Sequence, residues 1–90
     1  MKEIFGIAAF RSRQQVMRFD AALRRAGIRG HVISTPRDVS LGCGLSVRFA
    51  LADAPGVLAV YRQTQPGNLI GFYRVERTGS GRAHVTPLYQ

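Results

Sequence analysis

The residues from Ile4 to Phe10 are apolar or glycine throughout, with charge on both sides of the run at Glu3 and Arg11. A run this short, bounded by charge, reads as a buried strand. Successive side chains of a strand point to opposite faces. Ile4, Ala8 and Phe10 therefore share one face, and Phe5, Ile7 and Ala9 the other. Both faces are apolar, so the strand belongs in the middle of a sheet, and each face of that sheet needs cover.

The next segment, Ser12 to Ala26, has helical periodicity. Ser12 followed by Gln15 fits a capping box, and Val16, Phe19, Leu23 and Ala26 form the stripe expected to be buried. Asp20 and Arg24 are one turn apart and suited to pairing. Arg24 and Arg25 suit the negative end of the helix dipole. Gly27 supplies the left-handed stop.

Beyond it, Ile28 to Ser34 reads as a strand that ends at Thr35-Pro36, since the residue before proline is pushed toward extended geometry. Leu45 to Leu51 alternates, with Leu45, Val47, Phe49 and Leu51 on one face and Ser46, Arg48 and Ala50 on the other. Asp53 is placed to cap a second helix carrying Pro55 in its first turn, with Val57, Leu58 and Tyr61 inward. Pro66-Gly67 ends that helix, and Leu69 to Glu76 is a further strand. The order β-α-β-β-α-β predicts an α+β, ferredoxin-like sandwich: a four-stranded antiparallel sheet with two helices on one face. Residues 1–77 make this single domain. Residues 78–90 form a tail that is either a short extra strand or disordered. Because two helices cover one face only, the other calls for a partner subunit or for the tail around Val85, Leu88 and Tyr89. A homo-oligomer is the preferred answer.

Ninety residues make one domain with a modest core. No run approaches the roughly 20 apolar residues of a membrane helix. The N-terminus lacks the apolar stretch and cleavage site of a secretory signal, so a cytoplasmic protein without membrane partners is expected. A single cysteine excludes an intramolecular disulfide. With only His31 and His84 as further soft ligands, no metal site and no cofactor are expected. The net charge is +8, and of 13 basic residues only Lys2 is a lysine. Such a charge favours anionic partners, although arginines spread from Arg11 to Arg82 also fit a solvated surface.

The segment with chemical content is the connection from Pro36 to Gly44, about twice the upper end of an ordinary hairpin loop. Long loops are often functional. Within it, Cys43 stands between Gly42 and Gly44. Glycine permits close approach and unusual dihedrals, and backbone N–H groups in such a turn can converge on an anion. Positive charge lowers a thiol's pKa from about 8.5 and so favours the nucleophilic thiolate. Arg37 and Arg48 are the nearest cations in sequence on either side, with Asp38 opposing them. The plainer reading is that Cys43 is a small buried hydrophobe. A Cys-His pair would need His31 or His84 to fold back onto the loop.

The loop and its flanks resemble the family of small domains described as putative Se/S carrier protein-like. The resemblance rests on Ala26-Gly27-Ile28, on Ser34-Thr35-Pro36-Arg37, and on Ser40, Gly42-Cys43-Gly44-Leu45 and Arg48, and it covers residues from about 3 to 77. The second helix is shorter and more apolar than the family's, and the tail from Thr78 is additional. The resemblance implies a carrier or accessory protein rather than a stand-alone enzyme. Cys43 would accept sulfur or selenium as a persulfide or selenyl sulfide. Arg37 and Arg48 would stabilise its charge, and Gly42 and Gly44 would give access. Thr35, Pro36 and Ser40 would support the motif. Donor and acceptor proteins are its implied partners.

The alternative is a basic module for nucleic acid or another anionic ligand, with Cys43 structural. Arg11, Arg18 and Arg25 recur seven apart and suit a basic stripe. Nucleic acid ranks lower as a partner because the strands lack the aromatic RNA-stacking motif. A regulatory subunit sensing a small anion at the loop is a third reading.

Overall fold

The computed structural model describes residues 2–36, 39, 44–79 and 83–88. The chain runs through β1 (Glu3–Phe10), α1 (Arg13–Arg25), β2 (His31–Ser34), β3 (Leu45–Phe49), a 3-10 turn (Leu51–Asp53), α2 (Ala54–Thr64), β4 (Leu69–Arg77) and β5 (Ala83–Pro87). The strands form one antiparallel sheet in the order β2-β3-β1-β4-β5. The apolar run is central, as its two-sided pattern requires.

The sheet has five strands, not the four expected. The tail contributes β5, which pairs along the edge of β4 with Val85 opposite Val75. It satisfies backbone groups that an edge strand would leave open. Leu88 continues the contact by donating its N–H to the Phe72 carbonyl at 2.9 Å.

The helices cover one face of the sheet. Ala8 and Phe10 of β1, Val47 and Phe49 of β3 and Phe72 of β4 meet Val16, Phe19 and Leu23 of α1 and Val57 and Val60 of α2. Aromatic rings run through this layer, with Phe10 against Phe19, Phe19 against Tyr61, and Tyr61 edge-on to Phe72 at 5.2 Å. Ser12 accepts the Gln15 N–H at the start of α1, and Asp20 pairs with Arg24 at 3.1 Å.

Several local expectations need correction. Ala26 is the exposed C-cap residue of α1, while Ala22 and Asp20 join the buried stripe. β2 begins at His31 rather than Ile28, because Gly27 turns the chain with φ +80° and Ile28 packs back onto the helical side. β3 stops at Phe49, since the 3-10 turn takes up Leu51. Asp53 occupies the N-cap of α2 without a side-chain capping bond. On α2, Val57 is buried as expected, Leu58 and Tyr61 are half-buried, and Ala54 and Val60 complete the buried side. Ile4, although on an apolar face of the pattern, is 41% exposed.

The helix-free face has its own small core of Phe5, Ile7 and Val75, all essentially buried. Ile33, Val39, Tyr73, Ala83 and Val85 pack against it. Val39 belongs to the long β2–β3 connection, so this loop supplies part of the cover. Of the tail, Val85 reaches this face from within the sheet, whereas Leu88 packs on the helical side. Tyr89 lies outside the described residues.

Candidate functional site: the β2–β3 connection

The connection leaves the sheet at Thr35 and returns at Gly44. The Thr35 N–H donates to the Gly44 carbonyl at 3.0 Å, which carries the β2–β3 ladder one step beyond Ser34 and Leu45. The hydroxyls of Thr35 and Ser46 meet at 2.7 Å in a buried position. Both side chains point to the helix-free face, the face of Ile33 and Ile7. Beyond Thr35, the Val39 N–H donates to the Pro36 carbonyl at 3.0 Å, and Val39 then packs onto the Phe5–Ile7–Val75 cluster. The two ends of the loop are therefore fixed together, and one residue between them is seated on the sheet.

Gly44 is needed here for space. A Cβ at this position would stand 3.1 Å from Thr35 Oγ1 and 3.4 Å from the Phe10 carbonyl oxygen. A larger residue would push Thr35 away from its partner.

Of the residues singled out in the sequence, Thr35, Pro36 and Gly44 come together at the neck of the loop. Cys43, Arg37, Ser40 and Gly42 lie outside the described residues. Arg48 is four residues past Gly44, about 13 Å along the strand. Its guanidinium is bound to Glu3 at 3.0 Å and lies 3.9 Å from the centre of the Phe5 ring. Arg77 also approaches that ring, at 5.5 Å. In the β1–β3 register Gly6 is opposite Phe49 and Phe10 opposite Leu45, so Phe5 and Glu3 lie toward the sheet end remote from the loop. Arg48 is thus engaged at that remote end. It helps to line a groove of about 530 Å³ there, together with Phe5, Arg29, His31 and Asp53.

Sequence reading did not single out Ser46 or Val39 for this loop. Ser46 shares a face of β3 with Arg48 and Ala50 in the alternation, but its partner lies across the loop. Val39 was the one β-branched residue in a polar stretch, which was its only signal. Among the described residues no helix is long and apolar enough to cross a membrane.

No curated protein and no solved structure matches the chain. A family model does, over residues 5–69, somewhat less than the expected stretch from 3 to 77. The matched stretch runs from β1 to the start of β4 and includes the whole β2–β3 connection with its cysteine. By that match over most of its length, the chain belongs to the family described as putative Se/S carrier protein-like.

Proposed function

We propose that the protein carries sulfur or selenium on Cys43 and delivers it to an acceptor protein. The observation that carries this reading is that the family match spans the β2–β3 connection, whose ends are tied through Thr35, Gly44 and Ser46. In this reading the Cys43 thiolate attacks the outer sulfur of a donor persulfide. The donor's S–S bond breaks, a new S–S bond forms on Cys43, and the donor leaves as a thiolate. The acceptor's thiolate takes the outer sulfur in the same way and regenerates Cys43. Each exchange is redox-neutral, and selenium in place of the outer sulfur follows the same course. The chain has no second cysteine, so release must use a thiol of another molecule.

Arg37 enters as the nearest cation before Cys43 in sequence, Gly42 as its immediate neighbour, and Ser40 as a residue of the motif. Arg48 has a competing partner in Glu3 and would act on the loop only by leaving it. The β-α-β-β-α-β order with β1 and β3 central supports likening the domain to ferredoxin-like folds, with β5 as an addition. A cytoplasmic location, donor and acceptor proteins as partners, and assembly into a homo-oligomer belong to the same proposal.

The test is to incubate the protein with a small-molecule persulfide, remove the excess, and measure the intact mass. An added sulfur that is lost to a thiol acceptor, and absent from Cys43→Ser with its fold unchanged, is the expected result. A serine variant that still accepts and delivers sulfur overturns the reading.

A further inference from the structure

The positive charge is distributed unevenly over the two sides of the sheet. On the helix-free side Arg48 is paired with Glu3, and Arg77 lies over the Phe5 ring. On the helical side, the face of Ala8 and Phe72, Lys2 and Arg74 share Glu76 at the edge beyond the helices, and Arg24 pairs with Asp20. Arg11, Arg13, Arg18, Arg25 and Arg62 are exposed there, and none has an ion-pair partner among the described residues. Unneutralised charge therefore collects on the outer surface of the helix layer.

These arginines have a regular placement. Arg18 and Arg25 are two turns apart on α1, roughly 10 Å along its axis. Val16, Phe19 and Leu23 hold the opposite side of the helix against the sheet. Both arginines line a groove of about 390 Å³ with Gln15, Thr64 and Gln65. The groove's polar lining contains donors and no carboxylate. Arg11 and Arg13 stand at the other end of α1, where the first turn contains no acidic residue to offset the positive helix dipole.

Two kinds of polyanion could meet such a surface, and the lining distinguishes them. A stable protein–protein interface has an apolar or aromatic centre within a polar rim. The apolar part of this groove is made of Ala21, Ala22 and Pro66 beside a buried Phe19, with no exposed aromatic ring to anchor a protein partner. Phe19 and Tyr61 are turned toward each other and the core, and Met17 is the only exposed large apolar residue of the layer among the described residues. Phosphate contacts need no apolar centre, and guanidinium groups match phosphate geometry. The same lack of exposed rings argues against stacking on unpaired bases. One strand of a duplex advances about 3.4 Å per phosphate, so the Arg18–Arg25 interval spans about three phosphates.

We propose that the exposed face of the helix layer binds the phosphate backbone of double-stranded nucleic acid without reading its sequence. This surface lies across the sheet from the face on which Val39 of the cysteine connection is seated. Backbone binding and the chemistry proposed for Cys43 are independent, and either can fail alone.

The experiment is a fluorescence-anisotropy titration of the full chain against a labelled 20-base-pair duplex, from about 50 to 200 mM salt. If Arg11, Arg18, Arg25 and Arg62 each neutralise one phosphate, log affinity falls against log salt with a slope of about −3.6. Arg18→Gln/Arg25→Gln should weaken binding equally for unrelated sequences and flatten the slope by about 1.8. Lys2→Gln/Arg74→Gln and Cys43→Ser should change the slope little. No binding at the lowest salt, or an unchanged slope in Arg18→Gln/Arg25→Gln, overturns the proposal. So does loss of binding in Cys43→Ser alone, which would move the contact to the loop. Equal affinity for poly-glutamate at matched charge would indicate an acidic protein surface instead and would overturn it as well.

Discussion

Thr35 Oγ1 lies 2.7 Å from Ser46 Oγ, and together the two hydroxyls close the neck of the loop that carries the single cysteine. Ser46 is fully buried and Thr35 nearly so. A buried hydroxyl left without a partner costs about 1–3 kcal/mol, more than the pair contributes when made. Ser46→Ala and Thr35→Val should each lower stability by about 1–2 kcal/mol. The double variant should be less destabilised than the sum, because it leaves no orphaned hydroxyl. Chemical denaturation of the four proteins measures the coupling. Strict additivity would mean that the two hydroxyls do not depend on each other.

Glu3 and Arg48 form an exposed to half-exposed ion pair at 3.0 Å, a type that contributes little to stability. Glu3→Gln should therefore leave the melting temperature nearly unchanged while freeing the guanidinium. If Arg48 serves the Cys43 thiolate, freeing it should shift the mid-point of Cys43 alkylation against pH downward, and Arg48→Gln should shift it upward. If both substitutions leave the alkylation profile in place, Arg48 is a structural residue of the Phe5 end and Arg37 is the cation left to test.

Glu76 is held below its ordinary value of about 4.5, chiefly by the hydrogen bond from Lys2, with Arg74 adding to the effect and partial desolvation opposing it. The Lys2 ammonium is 2.6 Å away and the Arg74 guanidinium 3.3 Å. A depressed carboxylate favours the folded state at pH values above its unfolded pKa, and that contribution disappears as pH falls through the folded pKa. The loss therefore falls below about pH 4.5. An NMR titration of the Glu76 carboxyl should show the low value, and Lys2→Met should raise it toward the ordinary one. An unchanged titration in Lys2→Met would remove Lys2 as the cause.

The order of elements was legible because each segment carried its own period: both faces of β1, the α1 stripe from Val16 to Leu23, and the alternation of β3. What escaped were decisions made between segments. β5 follows a Gly-Ser-Gly stretch and has one strongly apolar residue, Val85, so local pattern could not separate strand from tail. Its place is set by the free edge of β4. The cover of the second face was legible as a need, but the β-branched side chain of Val39 was too slight a sign that it meets part of it. At the site, Thr35 and Gly44 stood out by motif, while the Thr35–Ser46 contact spans the loop and required the fold. Arg48 looked close to the cysteine in sequence, yet a strand carries it about 13 Å from the neck of the loop.

Gly6 sits where β1 passes beneath the Phe49 ring. A Cβ there would meet Phe49 Cε2 and would stand 2.6 Å from Cζ. Phe49 is buried among Ala8, Val57 and their neighbours, so the ring has little room to retreat, and β1 is paired on both sides. Gly6→Ala should destabilise the protein by about 1–3 kcal/mol, the usual cost of overpacking a filled core. The cause can be separated from any change in backbone preference. Phe49→Leu removes the ring edge, so Gly6→Ala/Phe49→Leu should cost clearly less than the two single substitutions together. Denaturant unfolding of the four proteins decides the matter. Additive losses would show that Gly6 is required for the conformation of β1, with the Phe49 contact incidental.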